Sequence, residues 1–157
     1  MKYAIPQRLL NLTLILFLAL FHLAARAAEP EPMLLTTTAQ GKNMDQAMLA
    51  LGQAITNHNY TFVRAQAIDA RLVPYAEEVR SVRLVYFCNF ARMDLALRLD
   101  PRATQMLPCR VTLVETPGGV DLIAVNPAWS SQNMPALAEL CQELKRDYLD
   151  ILEEAAL

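Results

Sequence analysis

Histidine is almost missing from this chain: among 157 residues only His22 and His58 occur. A zinc centre built on a histidine pair is therefore excluded, and no imidazole is placed to activate a nucleophile. Glycine is scarce as well, with four residues. They form no phosphate-cradling loop, and no serine-nucleophile elbow is present. The three cysteines, Cys88, Cys109 and Cys141, contain no C-x-x-C pair, so the usual dithiol redox motif is absent. C-x-x-C-H is absent too, which excludes covalent haem attachment on that signature. There is no internal repeat, no low-complexity tract and no long linker.

Long apolar runs are also lacking, with one exception. Lys2 and Arg8 precede an apolar stretch over residues 12–21, and Ala25-Arg26-Ala27 follows. A charged start, an apolar middle and a small-residue end describe a secretory signal peptide, so residues 1–27 are expected to be removed after Ala27. The run is about half the length that a bilayer-spanning helix needs, and Asn11, His22 and Arg26 interrupt or bound it. With no cysteine near the cleavage point, a lipid anchor is not expected. The expected location is periplasmic or secreted, with no stable membrane insertion after cleavage.

The mature chain of residues 28–157 carries 11 basic and 16 acidic residues, a net charge of −5. That argues against nucleic acid or an anionic surface as the main partner. Charge is uneven: eight arginines face five acids between Arg64 and Arg110, and eight acids face Lys145 and Arg146 from Glu115 onward. Two differently solvated faces account for this; an anion-attracting patch is the sharper alternative.

Local patterning predicts a poorly ordered acidic lead-in over residues 28–33 and one domain over residues 34–157. A β-branched strand occupies residues 34–39. Helical spacing of Met44, Ala47, Met48, Leu51 and Ile55 follows, opened by Asn43 as N-cap with Gln46 completing a capping box. Residues 60–68 read as a strand, 69–80 as a short irregular helix, and 82–88 as an alternating strand. Asn89 caps a helix ending at Asp100-Pro101. A hairpin joins residues 107–115 to 120–125 through Thr116-Pro-Gly-Gly119. The last helix opens near Pro135 and buries Leu137, Leu140, Cys141, Leu144, Tyr148 and Ile151. The expected class is α+β, a two-layer domain with a mostly antiparallel sheet.

Two segments concentrate chemistry: Phe87-Cys-Asn-Phe90 and Met106-Leu-Pro-Cys-Arg110. Cys88 ends a strand just before a helix N-terminus, where free N–H groups and the dipole would lower a thiol pKa. Cys109 starts a strand, with Arg92, Arg102 and Arg110 near in sequence. Four readings of the cysteine pair stay open: buried packing, a disulfide, a soft-metal site, and a reactive thiol. In the metal reading, Cys88, Cys109 and the Met106 thioether suit an ion such as copper(I). In the ligand reading, Cys88, Asn89, Cys109 and Arg110 line a pocket. Cys141 lies on an apolar helix stripe and is expected to pack.

Taken in order, Ile68-Asp69, Cys88-Asn89, Asp100-Pro101, Leu107-Pro108-Cys109, Gly118-Gly119 and Asn126-Pro127 resemble the domain of unknown function 302 family. The resemblance spans roughly residues 36–127. It implies helices on one face of the sheet, a β-α-β(4)-α outline similar to the TATA-binding-protein fold, and a homodimer. It carries no assigned activity. Where the family has Cys-Asn-Pro, this chain has Phe90 after Asn89.

Three functions are consistent with these features. One is an exported small-ligand or metal-binding accessory module without turnover. A second is a thiol-dependent redox protein or enzyme using Cys88 and Cys109. The third is a purely structural interaction protein.

Overall fold

The computed structural model describes residues 30–68 and 82–157. The expected signal peptide and the expected helix over residues 69–80 lie outside them. The described residues from Glu31 onward form one compact unit. No helix among them is long and apolar enough to cross a membrane.

Five strands make one fully antiparallel sheet in the order β1-β5-β4-β3-β2: β1 (Leu34–Gln40), β2 (Thr61–Ala67), β3 (Val82–Cys88), β4 (Cys109–Thr116) and β5 (Gly119–Val125). Helices α1 (Met44–Asn57), α2 (Phe90–Leu99), α3 (Pro127–Ser130) and α4 (Ala138–Ala156) connect or follow them. The class is α+β, with the helices on one face.

Period-two patterning decides which sheet face is covered. Val85 and Phe87 on β3, Val111 and Leu113 on β4, and Leu122 and Ala124 on β5 point into one core with Leu51 and Ile55 of α1 and Ile151 and Leu152 of α4. The strand over residues 82–88 appears with the bounds its alternation predicts. The capping box at Asn43 is present: its side chain accepts from the Gln46 N–H, and the Gln46 amide oxygen accepts from the Asn43 N–H, both at 3.0 Å.

A second, smaller apolar cluster joins Ala96 of α2 and Ala103 to Leu137, Leu140 and Cys141 beside α4. Cys141 is thus packed, as its place on the helix stripe predicts. Residues 101–106, unassigned by patterning, form a 3-10 helix, Pro101–Met106. Asp100 ends α2 and also caps this turn, accepting from the Arg102 N–H at 2.9 Å.

At the other end of the sheet, β4 and β5 join through the two-residue connection Pro117-Gly118. Gly119 has φ +147°, and a Cβ there would lie 2.2 Å from the Ala39 carbonyl oxygen of β1. Only glycine lets β1 approach the hairpin this closely.

Within the expected lead-in, Glu31 makes long-range contacts. Its carboxylate accepts from Gln142 Nε2 (2.9 Å), Lys145 Nζ (2.7 Å) and Asn126 Nδ2 (3.0 Å). These partners are about a hundred residues away in sequence, which is why composition alone reads the segment as loose.

Candidate functional site

The sheet topology carries the two chemistry-bearing segments to one place. Cys109 pairs with Phe87 across β3 and β4, so Cys88 sits one residue beyond that pair. The end of β5 reaches the same edge, because Ala124 pairs with Val111. A cavity of about 260 Å³ opens there. The α2 helix and the 3-10 turn roof it, and Leu144 and Tyr148 of α4 form part of its floor.

Cys88, Asn89, Cys109, Arg110 and Met106 all line this cavity. The residues singled out in sequence therefore converge, and the cysteines are free thiols. Of the three arginines near them in sequence, Arg92 and Arg110 line the cavity. Arg102 does not; it is turned to Asp100, with Nη2 2.6 Å from Oδ2. Patterning misses Met93, Tyr60 and the site role of Tyr148. The usable signal for Met93 was its position in the first turn of a helix capped at Asn89, which brings it back toward Cys88.

Asn89 builds the local geometry. Its side-chain oxygen accepts from the Arg92 N–H at 3.1 Å, and its amide donates to the Asn59 carbonyl at 3.2 Å. It thus starts α2 and ties it to the loop before β2. The Cys88 thiol then lies 3.5 Å from the Met93 sulfur. Arg92 reaches α4, with 3.2 Å to Glu143 and 3.4 Å to Asp147. Asp147 in turn accepts from the Tyr60 hydroxyl at 2.7 Å. Tyr60 packs edge-on against Phe87 and Tyr148 packs against it tilted, each with ring centroids 5.5 Å apart.

The electrostatics differ from the sequence expectation. Both thiols were expected to ionise more readily. Instead burial raises the Cys88 pKa, and burial pushes Cys109 up to about 11, partly offset by a hydrogen bond from Tyr148. The helix dipole and Arg92 do not win, because Cys88 and Cys109 are 3% and 6% exposed and Arg92 is engaged by two carboxylates. Tyr148 is held in its neutral form by burial and by proximity to Cys109. Among the described residues, no three His, Cys, Asp or Glu side chains cluster as a metal-holding group.

Residues 35–155 match the family model described as domain of unknown function DUF302. The chain belongs to this family. A crystal structure titled as an uncharacterized conserved DUF302 protein from Bacillus stearothermophilus has the same fold, with a TM-score of 0.71 at 14% identity. The match covers 80% of this chain and 99% of that one. No curated protein matches the chain. The DUF302 assignment thus accounts for the architecture and leaves the site to be read from its own chemistry.

Proposed function

We propose that this DUF302 protein is an exported accessory domain that binds a small ligand in the cavity at the β3, β4 and β5 ends. The observation that carries the reading is the convergence of Cys88, Asn89, Cys109 and Arg110 on one cavity. Two features support binding over thiol chemistry. The thiols are held in their protonated form by burial. The lining offers neutral sulfur, amide, phenol and guanidinium groups, which serve as contacts to a ligand. Export rests on the charged start, apolar run and Ala25-Arg26-Ala27 of the leader.

The test is NMR of the isotope-labelled chain with thiocyanate, phosphate, acetate and silver(I) as separate probes. Perturbations centred on Cys88, Asn89, Cys109 and Arg110 are expected for at least one probe. A site elsewhere, or no perturbation from any probe, overturns the reading. Alkylation of Cys88 or Cys109 faster than in the denatured chain would favour the redox alternative instead. Export is checked by N-terminal sequencing of protein recovered outside the cytoplasm, which should begin at Ala28.

A homodimer is part of the same reading. Edge strand β2 is exposed along its whole length, including Phe62 and Val63; among the described residues no strand pairs with its outer side, and such an edge invites pairing. Sedimentation should return twice the chain mass; a monomer at all concentrations rejects it.

A further inference from the structure

The ligand-binding reading leaves the class of ligand open, and the sulfur atoms narrow it. Four sulfur-bearing side chains line the one cavity: Cys88, Met93, Met106 and Cys109. They come from four different places in the fold, the end of β3, the first turn of α2, the end of the 3-10 turn and the start of β4. Two thiols and two thioethers at one small, half-enclosed site form a soft donor set. Among the described residues, no carboxylate or imidazole lines the cavity to favour a hard cation.

One sulfur pair has a suitable spacing. Cys88 Sγ and Met93 Sδ are 3.5 Å apart. An ion about 2.3 Å from each sulfur, an ordinary metal–sulfur length, would see them at an angle of about 100°. That angle suits three- or four-coordinate binding. The buried Tyr148 lines the same cavity as Cys109, where a phenol can serve as an outer partner of the sort that orients metal ligands.

We infer that the cavity is a site for a soft monovalent metal ion, copper(I) or silver(I), held by Cys88 and Cys109 as thiolates and by Met93 and Met106 as thioethers. Each thiol releases its proton to solvent as its sulfur bonds the ion, and no electron is transferred. Two thiolates and one monovalent cation leave one net negative charge at the site. The inference rests on the cavity being the binding site, and it fails separately from that reading.

The experiment is an anaerobic titration of the full, reduced chain with silver(I), and with copper(I) against a chromophoric chelator. The expected result is one ion per chain, two protons released, and three or four sulfur neighbours by X-ray absorption. Removing the buried cysteines perturbs packing, so the decisive variants are the volume-conserving Met93→Leu and Met106→Leu. Each should weaken binding by about tenfold or more, at least what losing an outer partner costs. Cys141→Ala should leave affinity unchanged. Full affinity in both methionine variants, binding without proton release, or dependence on Cys141 would overturn the inference. If silver(I) fails while an anion still perturbs the cavity resonances, the metal assignment falls and the binding site stands. If no probe reaches the cavity, both fall.

Discussion

Tyr148 is the residue through which the thiol chemistry is most directly tested. It contacts Phe87 on one side and donates its hydroxyl hydrogen to Cys109, a bond that partly counters the effect of burial on that thiol. Tyr148→Phe removes the donor and keeps the ring. The Cys109 pKa should therefore be higher in the variant than with Tyr148 intact, both read from the pH dependence of thiolate absorbance in a Cys88→Ala, Cys141→Ala background. An unchanged titration would mean that the hydroxyl does not reach the sulfur. A merely structural role would move stability and leave that curve in place. Asn126 offers a second residue-scale measurement. It is fully buried, donates to the Pro32 carbonyl at 2.8 Å, and accepts from the Ala128 N–H at 2.9 Å. Asn126→Ala orphans those groups and should cost about 2 kcal/mol in a denaturant titration.

At the scale of elements, the turn between β4 and β5 makes a sharp contrast between two glycines. Gly41 and Gly119 both have positive φ, 69° and 147°, but only Gly119 faces backbone at 2.2 Å. Gly41→Ala should cost about 1 kcal/mol from backbone preference alone. Gly119→Ala should cost more than about 3 kcal/mol, because β1 must separate from the hairpin. Thermal melts of the two variants decide the comparison. These elements also show what was legible in advance. The capping box at Asn43, the alternation of β3 and the Asn89 cap each depend on residues within four positions of one another, so the chain displays them openly. The convergence of the cysteines depended on which strand ends pair, and strand order is not a local property. Met93 differs: its contact with Cys88 is local, five residues along, and was open to sequence reasoning through the helix start at Asn89. The 3-10 turn at Pro101–Met106 has too short a pattern to separate from a loop.

For the whole molecule, the pH response is dominated by a carboxylate at the beginning of the described chain. Glu31 is lowered from 4.5 to about 2 by hydrogen bonds from Gln142, Lys145 and Asn126. A depressed carboxylate pKa stabilises the fold above the unfolded value. That stability is lost as pH falls from about 4.5 through about 2. Glu31→Gln cannot lose a proton, so the difference in melting temperature between the native chain and the variant should shrink across that window. A constant difference from pH 6 to pH 2 would show that Glu31 is not held by α4. The same measurement speaks to the lead-in, whose docking depends on partners that only the folded chain brings near.

The roof of the cavity has a further consequence. Of the ten residues in α2, only Ala96 is fully buried, while Phe90, Leu95 and Leu99 are largely open to water. Apart from the Arg92 ion pairs and its caps, the helix is held by Ala96 and by the partly buried Met93 and Leu97, and so lightly anchored a segment detaches at lower cost than the strands beneath it. Sulfurs that are almost sealed from solvent thus acquire a route of entry: a brief lifting of α2 would admit an occupant without disturbing β3, β4 or β5. Amide exchange should be fastest in that helix and slow once the cavity is filled.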